Sequence, residues 1–104
     1  MKLPKTIKIG AHNYKIEFPH EFDDGSTSGQ CNPSANLIRV ADSDVNGPRS
    51  DSAVLVTIVH EVLHAIDFAT NRLVFLGEEG EDLADAFAEM IAQIIIDNKW
   101  LPKS

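Results

Sequence analysis

Two histidines four residues apart, His60 and His64, stand in the stretch TIVHEVLHAIDFA, and Glu61 directly follows the first. On an α-helix, residues i and i+4 lie one above the other on the same face, so both imidazoles can aim a nitrogen at one point. Imidazole nitrogens suit zinc, and two of them from one rigid element are half of a four-coordinate site. Glu61 is turned about 100° from His60 around the helix axis. That sets its carboxylate beside the ion's open position rather than among its ligands, where it can act on water as a general base. The plain alternative is a pair of hydrogen-bonded core histidines. The apolar run around the motif favours the metal, because isolated polar groups there are costly and one divalent cation satisfies several at once.

A hydrolytic zinc site takes three protein ligands and keeps one position open. The longer pattern HExxHxxGxxH would supply the third from the same segment, but Asp67 and Thr70 occupy the positions of its Gly and last His. That arrangement is excluded, which leaves a carboxylate from a following helix. GEEGEDLADAFAEM offers Glu78, Glu79, Glu81 and Glu89. Glu81 is the preferred ligand, because Asp85 follows one turn later on the same face. Asp85 can accept the free N–H of a zinc-bound histidine and fix its tautomer. Glu89 and Asp85 are the fallback ligands, while Glu78 and Glu79 read as acids decorating a helix N-terminus. Ala84 and Ala88 flank the Glu81 face and are small enough for two helices to approach closely.

The elements that must position these groups follow from periodicity. TIKIGAHNYKIEF reads as a hairpin, with Ile7 and Ile9 on one face, Tyr14, Ile16 and Phe18 on another, and GAHN as the turn. PHEFDDGSTSG is a loop, NPSAN a turn, and NLIRVA a short strand with Ile38 and Val40 on one side. A helix over about residues 52–70, N-capped at Ser50, Asp51 or Ser52, is apolar almost all round and belongs in a core. Leu73 to Leu76 read as a short extended segment. A second helix over about residues 79–98 carries Leu83, Phe87, Met90, Ile91, Ile94 and Ile95 as its apolar face, and Trp100 and Leu101 are expected to fold back onto the core. Strands first and two packed core helices after them make a small α+β domain, with N-terminal antiparallel strands and one domain over 1–104.

Composition narrows the function classes. The 104 residues suffice for one core, so a catalytic site must be a shallow groove built upon it. Nine basic against sixteen acidic residues give a net charge of −7, and the basic residues are scattered, mainly at the N-terminus and the extreme C-terminus. Nucleic acid is therefore not an expected partner. Cys31 is the only cysteine, which removes any internal disulfide and any cysteine-based zinc site. It reads as a small buried hydrophobe, although its place near the strand could bring it toward the metal. No signal-peptide pattern is present, and the apolar stretches read as too short and too broken to cross a bilayer, so a cytoplasmic protein is expected. His20 reads as a solvated loop histidine and Asp67 as either an exposed acid or a group behind the ligands. Oligomeric state leaves no mark on the sequence.

VTIVHEVLHAID followed by EDLADAFA resembles the gluzincin-type, ImmA/IrrE-like metallopeptidases of phages and mobile elements. These pair HExxH on one helix with an ExxA[ND]xFA-like stretch on the next. Glu81, Ala84, Asp85, Phe87 and Ala88 match the second motif position by position, and the likeness covers roughly residues 29–98. The resemblance implies a minimal zincin-like domain holding Zn2+ and acting as an endopeptidase on a protein or peptide, often a repressor or other regulator. It also implies that NLIRVA is the edge strand beside the metal, along which an extended substrate can lie antiparallel. This chain departs from the family in lacking a helix-turn-helix segment and any Tyr or His after His64 to stabilise an oxyanion; His12, Tyr14 and His20 all precede the motif. The competing expectation is a catalytically inactive binding module that keeps the zincin scaffold.

Overall fold

Alternating apolar residues form the first strand pair. β1 (Thr6–Ile9) and β2 (His12–Glu17) run antiparallel with Ile7 opposite Tyr14, and the chain reverses through Gly10 at a φ of 60°, a conformation that favours glycine. Ile9, Tyr14 and Ile16 are buried, whereas Phe18 is exposed. The structure is a computed structural model that describes residues 2–102; Met1, Ser104 and the C-terminal basic residue Lys103 lie outside the described residues.

The next stretch differs from its reading. Residues 29–32, expected to close a loop and open a turn, form β3 (Gly29–Asn32). A single 3-10 turn over Pro33–Ala35 then leads into β4 (Leu37–Val40), with Asn32 Oδ1 accepting from the Ala35 N–H at 3.3 Å and Asn36 left-handed at a φ of 51°. GQCN has little strand propensity of its own, so pairing with β4 is what makes it a strand. The sheet order is β1-β2-β4-β3, with β2 and β4 parallel and the other pairs antiparallel. The sheet is thus mixed rather than purely antiparallel, and NLIRVA is not its edge. The most apolar strand takes the centre, where Ile38 and Val40 are fully buried, and β3 takes the edge.

A two-residue ribbon, β5 (Ser43–Asp44) with β6 (Gly47–Pro48), leads into α1 (Asp51–Thr70). Ser50 caps α1, its Oγ accepting from the Ala53 N–H at 3.2 Å. Arg49 ties this helix start to the end of β4, donating to the Ala41 carbonyl at 2.8 Å, to the Ala53 carbonyl at 3.0 Å and to the Thr57 hydroxyl. α1 is the wall shared by two cores. Val54, Ile58 and Ala65 pack on Tyr14, Ile16, Ile38 and Val40 of the sheet, while Leu55, Val59 and Leu63 pack on Phe75, Ala84, Ala88 and Ala92. This double role explains a helix apolar all round. It also corrects one expectation: at 20 residues α1 is long and apolar enough to cross a membrane, and here it packs in part against the sheet and α2.

Asp67 sets the geometry of the helix pair. It is buried, and its two oxygens accept from the Val74 N–H at 2.8 Å and the Phe75 N–H at 2.6 Å. Residues 73–76 are therefore a turn wrapped on a carboxylate rather than an extended segment, and Asp67 is neither an exposed acid nor a group behind the histidines. Asp67→Ala would leave two amide donors without partners and is expected to cost about 3 kcal/mol of stability, measured by urea unfolding.

α2 (Gly77–Asp97) begins with Glu78 and Glu79 in its first turn. The face it turns to α1 is not the one its large residues mark. Gly80, Ala84, Ala88 and Ala92, spaced four apart, are buried, while Leu83, Phe87, Met90 and Ile94 are exposed and Ile91 and Ile95 half-buried. Small side chains at the contact let the two helix axes come closer than bulky ones would. Gly80 lets the first turns of α2 pack on the turn before it, since a Cβ there would lie 2.5 Å from the Phe75 carbonyl carbon. Beyond the helix, Leu101 packs on this second core as expected, whereas Trp100 stays exposed.

Candidate metal centre

The close helix approach places α2's acids against α1's imidazoles. His64 Nε2 lies 3.0 Å from His60 Nε2; Glu81 Oε2 is 3.2 Å from His60 Nε2, and Glu81 Oε1 is 2.9 Å from His64 Nε2. Each imidazole nitrogen thus faces a different oxygen of Glu81, and with one ligand atom taken from each residue the triangle closes within 4.8 Å, against about 3.3 Å between ligand atoms on a tetrahedral ion at about 2.0–2.1 Å. Both histidine side chains are mostly covered, and half of Glu81 faces solvent, which leaves one side open.

Proton positions decide what the triangle can hold. Asp85 Oδ1 stands 2.9 Å from His60 Nδ1 and accepts its N–H. In the neutral ring, His60 Nε2 then presents a bare lone pair. Facing it are a second imidazole nitrogen and a carboxylate that only accepts. Three lone-pair donors aimed at one point fit a cation. The metal-free alternative uses the same contacts with one proton on His64 Nε2, shared between His60 Nε2 at 3.0 Å and Glu81 Oε1 at 2.9 Å, but it leaves the bare His60 Nε2 facing Glu81 Oε2 at 3.2 Å with no proton between them. Asp85 lies behind the ring, as its spacing from Glu81 suggests. Asp85→Asn is expected to weaken zinc affinity 10- to 100-fold without changing the fold, read by competition with a chromophoric chelator.

Glu61 lies outside the triangle. It is buried on α1, and burial, aided by the charge of Glu81 and opposed by His60, pushes its carboxyl up to about 7. A carboxyl held near neutrality is suited to taking and returning a proton at physiological pH.

One residue here escaped the sequence reading. Gly29 is where β3 meets α1: a Cβ on it would lie 2.5 Å from Thr57 Cγ2 and 3.0 Å from Glu61 Oε2. Only glycine lets the edge strand come this close to the glutamate, and a glycine at the end of a Ser-Gly loop gives no hint of that role. Cys31, two residues on, is half-buried against the first core, and burial together with Glu61 pushes its thiol up to about 11. It is thus a neutral packing group, and the ligand cluster of His60, His64 and Glu81 does not include it. A cavity of about 280 Å³ opens between Cys31, Pro33, Phe68, Leu73 and Leu76, with Glu61 and His64 in its wall.

The other candidates lie elsewhere. Tyr14 is buried in the sheet core. His20 packs edge-on against Phe22, 4.0 Å from Glu17. Glu89, Glu78 and Glu79 are exposed on α2. The chain matches no family model, no curated protein and no solved structure, so the geometry alone carries the functional argument.

Proposed function

We infer that the protein is a zinc-dependent peptidase in which His60, His64 and Glu81 hold the ion and Glu61 is the general base. One observation carries this reading: three ligand atoms from two helices converge within 4.8 Å of one another, with a buried carboxylate alongside. A zinc ion bound there would acidify water and polarise a peptide carbonyl. Glu61 takes a proton from the attacking water and returns it to the leaving amine. Asp85 keeps His60 in the tautomer that ligates. β3, the edge strand beside Glu61, replaces NLIRVA as the strand along which an extended peptide can add, since β4 has a neighbour on each side. The cavity next to Glu61, lined mainly by apolar groups, would receive a side chain beside the scissile bond.

A second reading, a binding module that keeps the metal for stability, is favoured by one observation. Of His12, Tyr14 and His20, the upstream residues that could have supported an oxyanion, Tyr14 is buried in the sheet core, His20 packs against Phe22 and His12 lies exposed at the start of β2. Elemental analysis of protein purified without added zinc, followed by incubation with a degenerate peptide library, separates the readings. One zinc per chain with cleavage supports the peptidase, one zinc without cleavage the module, and a metal-free chain removes both.

A further inference from the structure

The outward face of α2 is a continuous apolar stripe that the site does not use. Leu83, Phe87, Met90 and Ile94 are 36%, 47%, 60% and 40% exposed. Their spacing of four, three and four residues is that of a coiled-coil seam. The helix turns by about 100° per residue, which puts the centre of this stripe roughly 150° around the axis from Glu81. Leu76 and Trp100 extend it beyond the two ends of α2, at 58% and 66% exposed. Monomeric proteins rarely leave so many large apolar groups in one patch.

We propose that this stripe is a homodimer seam, in which α2 of a second copy of this chain packs antiparallel about a two-fold axis between Ala88 and Glu89. That axis brings Leu83 onto Ile94 of the other copy, Phe87 onto Met90, and Leu76 level with Trp100, so every large apolar group finds an apolar partner. An isologous contact demands this self-complementarity. Charge is the opposing term: the chain carries a net charge of −7, and although Ala86 and Gln93 leave the middle of the stripe's open border neutral, Glu79 and Asp97 border its two ends. Glu79 comes level with Asn98 of the partner copy, between its Asp97 and Lys99. Six side chains offering on the order of 100 Å² each bury roughly 1,200 Å² in the pair, the lower end of a specific interface. Glu81 and Asp85 stay on the far side of the helix, so the dimer leaves the candidate metal centre open. The proposal does not depend on what that centre does.

Analytical ultracentrifugation of the full chain from low micromolar to near-millimolar concentration is expected to show a monomer–dimer equilibrium. Phe87→Lys and, separately, Met90→Lys should each raise the dissociation constant at least about 30-fold with unchanged circular dichroism. Val45→Lys, at an exposed apolar residue off the helix, should leave it unchanged. In a Cys31→Ser background, Leu83→Cys with Ile94→Cys should oxidise to a covalent dimer, whereas Leu83→Cys alone should not. A chain that stays monomeric throughout overturns the proposal, whether or not the stripe then binds phospholipid vesicles. So does a dimer that survives both lysine variants, or one cross-linked by Leu83→Cys alone.

Discussion

Glu61→Gln is expected to reduce peptide hydrolysis about 10³-fold while leaving zinc content and affinity nearly unchanged. Gln keeps the shape of the side chain and its place against Gly29, but it cannot take a proton. The same variant reports on the carboxyl's environment. In the metal-free protein Glu61 titrates near 7 instead of its ordinary 4.5, so the folded state holds that proton more tightly than the unfolded state does. The associated stability is fully present below pH 4.5 and is lost as pH rises through 7. Metal-free Glu61→Gln should therefore match the parent at pH 4 and exceed it at pH 8, by on the order of 3 kcal/mol. Urea unfolding at the two pH values in the presence of a chelator measures this. Cleavage that survives the substitution would mean that another group is the base.

Glu81→Ala removes the only contribution of α2 to the ligand triangle and is expected to weaken zinc binding at least about 100-fold. A metal that joins two helices also stabilises the folded state by mass action. At a hundredfold excess over the dissociation constant this amounts to about 2.7 kcal/mol, or roughly 10–20 °C in Tm for a domain of this size. Chelation should therefore lower the parent's Tm by that amount and leave the Tm of Glu81→Ala unmoved. If Glu81→Ala binds zinc as tightly as the parent, Glu81 is not a ligand. Because Glu81 is half exposed, its loss costs little packing, and the two effects can be told apart.

The site and the fold were legible to different depths. His60, Glu61 and His64 share a helix, so their relative placement follows from 3.6 residues per turn, and Asp85 follows from Glu81 in the same way. The contact between the two helices does not follow. It rests on Asp67, whose carboxylate takes the Val74 and Phe75 amides and fixes the turn, and nothing local marks that acid as buried. The strands show the same division. Ile38 and Val40 announce β4, but only pairing reveals that β4 is central and that GQCN forms the edge.

Local pattern alone determined that α1 is a core helix with two imidazoles on one face, that α2 is a helix with an acidic start, and that an α+β domain results. Tertiary structure decided which stripe of α2 faces inward. Hydrophobic periodicity marked Leu83, Phe87, Met90 and Ile94, and the place of Ala84 and Ala88 beside Glu81 pointed to a close helix contact, but only packing shows that the inward stripe is Gly80, Ala84, Ala88 and Ala92. The reason is distance: a helix seated on small residues lies closer to its neighbour, and only from there do the Glu81 oxygens reach both imidazoles. Sequence periodicity encodes direction around one axis, while the separation between two axes is set by what they meet.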